Sequence, residues 1–83
     1  MAEKKIGEVT HYFDKIGVAI IKLSAPLRMG DKIRVKGATS DFEQVVDSMQ
    51  IDHQDVESAE SGQELGIKVS EKAREGDDIL KVE

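Results

Sequence analysis

Cysteine is absent, which excludes a disulfide framework, thiolate metal sites and a cysteine nucleophile together. Tryptophan and asparagine are absent as well, and Pro26 is the single proline. Only Tyr12, Phe13 and Phe42 are aromatic, so a core must be built from Ile, Val, Leu, Met and Ala. No run reaches the about 18 apolar residues that a membrane-spanning helix needs. The opening Met1-Ala2-Glu3-Lys4-Lys5 lacks the apolar run of a secretory leader, so the cytoplasm is the expected compartment. No G-x-x-x-x-G-K-S/T loop occurs, and no bound nucleotide or other cofactor is expected.

What is present fits one small domain spanning residues 1–83. The charged fraction, 35%, exceeds the roughly 25% usual for globular chains. The charge is uneven. Residues 1–40 carry eight basic and four acidic side chains, +4, against four and thirteen, −9, from residue 41 onward. Separate basic and acidic surfaces are one reading of this; an ordinary mixed surface is the other.

Short apolar-rich segments recur along the chain. Residues 6–13 and 16–23 read as strands joined by a turn at Asp14-Lys15. The second is apolar on both faces, which suits a strand in the crowded middle of the domain. Pro26 interrupts the next connection. From Asp31 to Gly37, Ile33 and Val35 alternate with Lys32, Arg34 and Lys36. A turn is expected at 37–41. A long strand follows over 42–52, with a slip at Val45-Val46 that suggests a bulge. Residues 55–62 have room for one helical turn ended by Gly62. Leu65, Ile67 and Val69 mark a fifth strand, and 78–82 a sixth. The expected core includes Ile20, Ile33, Val35, Ile51, Leu65, Ile67, Val69 and Leu80. The expected fold is all-β: a small six-stranded, mostly antiparallel closed barrel, because closure removes exposed edges.

Leu27-Arg28-Met29-Gly30-Asp31-Lys32-Ile33-Arg34-Val35-Lys36-Gly37 resembles a segment of domain 2 of elongation factor Tu and related translation factors. So do Val46–Ile51 with Ala59-x-x-Gly62-x-x-Leu65-Gly66-Ile67, and the closing Gly76-Asp77-Asp78-Ile79-Leu80. The likeness runs from about Ile6 to Val82. The chain also resembles the C-terminal domain of collagenase-like peptidase-family proteins, a family linked to tRNA and rRNA modification. These resemblances imply the translation-protein type of barrel and a partner such as tRNA, rRNA or a ribonucleoprotein. In both Gly-Asp pairs, Gly tolerates positive φ and Asp bonds back to the backbone.

Catalytic signals are weak. Asp52-His53-Gln54-Asp55 offers part of a metal site at most, since three or four ligands must converge; a solvated loop histidine is the plainer reading. The pairs Asp77-Asp78 and Glu57/Glu60 read as solvated turn charges. No nucleophile elbow occurs, and an enzyme is not expected. The sharpest feature is Lys32, Arg34 and Lys36 on one face of one strand, spaced roughly 7 Å apart. They suit phosphates or an acidic protein surface, with Arg28 and Lys22 extending the row and Tyr12 or Phe42 available for stacking. The same three are also what the solvent face of an amphipathic strand looks like. The leading expectation is a non-enzymatic module contacting RNA. The alternative is a protein–protein adaptor docking onto a larger enzyme, such as a collagenase-like peptidase or RNA-modification protein, through an exposed apolar patch.

Overall fold

The computed structural model describes residues 3–38, 41–52 and 54–82. Among these described residues ten strands follow in chain order: β1 (Glu3–Phe13), β2 (Val18–Leu23), β3 (Leu27–Arg28), β4 (Lys32–Lys36), β5 (Asp41–Val45), β6 (Met49–Ile51), β7 (Gln54–Asp55), β8 (Ser58–Ala59), β9 (Glu64–Lys68) and β10 (Asp78–Val82). Eight form one sheet in the order β5-β4-β10-β1-β2-β9-β6-β7, and β3 pairs with β8 as a separate ribbon. Every pairing is antiparallel. Among the described residues no helix is long and apolar enough to cross a membrane.

Strand register explains the core. Val9, Ile21 and Leu65 face one another across β1, β2 and β9, and all are buried. Ile79, Val35 and Phe42 form a second buried row across β10, β4 and β5. A third runs Tyr12, Ala19, Ile67, Met49, with Tyr12 partly buried against the core. Irregular pairing between Lys5 and Gly7, and again between Val9 and His11, bends β1, the strand shared by both halves of the sheet.

Five expected core residues, Ile33, Val35, Leu65, Ile67 and Val69, are buried. Ile51 packs against the core but is partly exposed. Ile20 and Leu80 are out of phase: their neighbours Ala19, Ile21 and Ile79 turn inward instead. Both segments are apolar on two faces, so alternation cannot fix their phase. The first hairpin loop has four residues, 14–17, rather than two. Phe13 O accepts from Ile16 N and Gly17 N, and Gly17 takes φ 67°. Ile16, read as strand, therefore stands on the turn.

The long strand expected over 42–52 is two strands. Val46 N donates to Asp31 O and Gly30 N donates to Val46 O, both at 2.8 Å, which ties the corner to the Gly30-Asp31 turn. The chain leaves β4 there and resumes beside β9. Residues 54–59 form short strands β7 and β8, not a helical turn. Thr39, Ser40 and His53 lie outside the described residues.

Among the described residues no closed barrel is found, because the ladder has two ends, β5 and β7. The Val46 corner withdraws the backbone that would have continued β5 toward β9. A side chain spans that seam instead. Gln44 Nε2 donates to Lys68 O, and Ser70 N donates to Gln44 Oε1, each at 2.8 Å.

Candidate docking face

The β4 cations share the outward face of the sheet, but carboxylates from their own chain sit among them. Lys32 Nζ lies 3.5 Å from Glu43 on β5. Arg34 donates from Nε and Nη2 to Asp41 at 2.7 and 2.9 Å, and from Nη1 to Glu3 at 3.1 Å. These bonds hold the Arg34 guanidinium protonated more firmly than usual, and Arg34 holds the Asp41 carboxyl below its ordinary range. Lys36 makes no ion pair among the described residues, although its charge also favours ionised Asp41. On β1, beyond the intervening β10, Lys5 pairs with Asp78 of β10 at 3.0 Å.

The other expected contact residues are dispersed. Tyr12 belongs to the inward row and does not join the cations. Phe42 is buried at the core. Arg28 lies on the β3–β8 ribbon, opposite Ser58. Its amide donates to Asp31 Oδ2 at 3.0 Å, closing the Gly-Asp turn. Lys22 sits on β2 opposite Glu64. The acidic pair 77–78 is not uniformly solvated: Asp77 is 5% exposed and accepts from Arg74 N at 2.9 Å. His53 of the metal reading lies outside the described residues, which themselves contain no cluster of three potential metal ligands.

Pattern reading missed a different surface. Phe13 pairs with Val18 across β1 and β2, and Ile20 pairs with Gly66 across β2 and β9. These residues face outward, away from the core rows. Phe13 is 50% exposed and Ile16 63% exposed; Val18 and Ile20 are half-buried. His11 stacks on Phe13 with centroids 6.5 Å apart, and its Nδ1 lies 3.4 Å from Glu75. Gly66 forms the floor. A Cβ there would lie 3.2 Å from Val18 Cγ1 and 3.3 Å from Ile20 Cδ1, so its absence lets both side chains lie across β9. The result is a shallow groove of about 360 Å³, apolar along β2 and rimmed by Gln50, Asp52 and Glu64. The signal in the sequence was β2 itself: a strand apolar on both faces has either two buried faces or one exposed apolar face.

No family model matches the chain. It is 43% identical over 76 residues to an uncharacterised protease of Methanocaldococcus jannaschii, an overlap of 90% of this chain and 19% of that protein. It is 35% identical over 78 residues to a collagenase of Porphyromonas gingivalis, covering 92% of this chain and 22% of the collagenase. The chain thus spans about a fifth of the length of these curated relatives. Its fold matches crystal structures of the C-terminal domain of a Geobacillus thermoleovorans protein assigned to the U32 peptidases. One superposes with TM-score 0.90 at 20% identity, over 96% of this chain and 93% of that domain. Its selenomethionine variant gives 0.87 at 22%, over 92% and 96%. Of the two resemblances read in the sequence, these relatives support the collagenase-like one.

Proposed function

We propose that this chain is a non-catalytic docking domain of the collagenase-like, U32-peptidase type, which attaches through its β2–β9 face to the larger body of such a protein. The observation that carries this is the exposed apolar groove of Phe13, Ile16, Val18 and Ile20 with a polar rim. Contiguous exposed apolar surface on a small domain is costly in water and marks a contact surface. The relatives, in which the matching segment is about a fifth of the length, supply a body for it to contact. Catalysis then belongs to the other four-fifths. A role in binding tRNA or rRNA would draw on Lys32, Arg34 and Lys36, of which Lys32 and Arg34 are already paired with carboxylates. Phosphates would have to displace those partners; the apolar groove has none to displace.

The test is a graft. This chain replaces the matching segment of the M. jannaschii relative, and hydrogen exchange is compared between the graft and the free chain. Amides of residues 16–20 and 64–66 are expected to exchange more slowly in the graft. Ile16→Ser should abolish the difference. Equal exchange in both settings would refute docking through this face, and peptide-bond cleavage by the free chain would refute the non-catalytic assignment.

A further inference from the structure

The charged residues that line the groove, Asp52 and Glu64, are both acidic. From Gly37 to Ile67 the sequence contains no lysine or arginine. Of the acids in that stretch, Asp41 and Glu43 are taken by Arg34 and Lys32. Asp47, Asp52, Asp55, Glu57, Glu60 and Glu64 make no ion pair among the described residues. Two of these six, Asp52 and Glu64, line the groove, and no cation does. Asp52 occupies the turn between paired Ile51 and Gln54 with φ 51°. Asp55, hydrogen-bonded to Gln50 at 3.0 Å, continues the outward row that begins at Ile20 and Gly66. Lys22 and Lys68 border the face on β2 and β9 but form no part of the groove lining.

We propose that the groove takes a polypeptide segment with one bulky apolar side chain flanked by lysine or arginine. The apolar side chain lies over Gly66, and the cations meet Asp52 and Glu64. This rests on the docking reading above and adds the chemistry of the partner. Complementary charge at the rim of an apolar contact sets partner choice and register more than raw affinity. The acidic rim disfavours phosphate-bearing partners, nucleic acid and anionic lipid alike, by like-charge repulsion. In a second copy of this chain the same groove lining carries no cation to meet that rim.

The experiment uses three synthetic peptides and the full 83-residue chain, read by amide-resolved NMR titration. Each peptide carries the same central Phe, flanked on either side by lysines, by glutamines or by glutamates. The expected result is shifts at Val18, Ile20 and Gly66, with the lysine peptide binding about three- to tenfold tighter than the glutamine peptide and the glutamate peptide weakest. High salt should erase the ranking. The double variant Asp52→Asn/Glu64→Gln should erase it too, without removing the shifts. Ile16→Ser and Gly66→Val should weaken all three peptides. Equal affinities at the groove would overturn the cationic preference while leaving the docking face standing. No shift at these residues with any peptide would overturn both.

Discussion

Gly37 and Gly66 sit on opposite wings of the sheet, and each leaves room for something. At Gly37, just after β4, the room is taken by the chain itself: a Cβ would collide with the Asp77 carboxylate. At Gly66, in β9, the room faces solvent as the floor of the groove. The charges divide in the same way. On the β4 wing Lys32, Arg34 and Lys5 hold Glu43, Asp41, Glu3 and Asp78. On the β9 wing Asp52 and Glu64 hold no cation among the described residues. One wing satisfies its own groups, and the other leaves its carboxylates unpaired among the described residues. A residue type is therefore no guide to a site until its neighbours are known.

The largest test of this contrast is a pair of alanine substitutions. Gly37→Ala must displace Asp77, which is buried and bonded to the Arg74 amide. The expected loss is about 2–3 kcal/mol, combining overpacking with a broken buried bond. Gly66→Ala meets only side-chain methyls of Val18 and Ile20, which must shift by a few tenths of an ångström, and should stay within about 0.5 kcal/mol of wild type, since a strand also gains by losing a glycine. Urea midpoints measure both. Equal losses would break the comparison.

Next in size come the two Gly-Asp turns. Gly30 and Gly76 each take φ 89°, with nothing within 4 Å of a would-be Cβ. Gly30→Val and Gly76→Val should each cost about 1–3 kcal/mol through backbone strain alone. The aspartates then differ. Asp77→Ala removes a buried carboxylate and should cost about 1–3 kcal/mol, while the same change at more exposed Asp31, which bonds Arg28 N and lies 3.6 Å from Lys81, should cost about 1 kcal/mol or less. An unchanged midpoint for Gly30→Val would show that its positive φ carries no strain for a side chain.

These effects mark what the sequence could carry. The Gly-Asp turns were legible because turn chemistry is local: each aspartate bonds the amide three residues back, Arg28 or Arg74. Ile33 and Val35 were legible because cations alternate with them. The phase of β2 was not, since Val18, Ala19, Ile20 and Ile21 are all apolar. The break at Val46 appeared only as a slip in the pattern; its cause, the bonds to Gly30 and Asp31, is long-range. The pairing of Lys32 and Arg34 depends on the β4–β5 register, and the groove depends on β9 lying beside β2. Neither neighbour relation is written in local spacing.

The smallest expected effect is a pH dependence confined to the β4 wing. Arg34, chiefly by hydrogen bonding, holds the Asp41 carboxyl below its ordinary value in the folded chain. A depressed folded-state value means that the pair adds stability above the unfolded carboxylate value, about 3.9. That contribution disappears as pH falls through the lower folded-state value of Asp41. Because the pair is exposed to solvent, the change should be small and should shrink further in salt. A double-mutant cycle of Arg34→Gln and Asp41→Asn, read by urea midpoints, isolates it. The coupling is expected to be favourable at neutral pH and absent in strong acid. Coupling that persists unchanged in acid would mean that Asp41 ionisation is not what binds the pair, and the picture of a wing neutralised by its own carboxylates would lose its central contact.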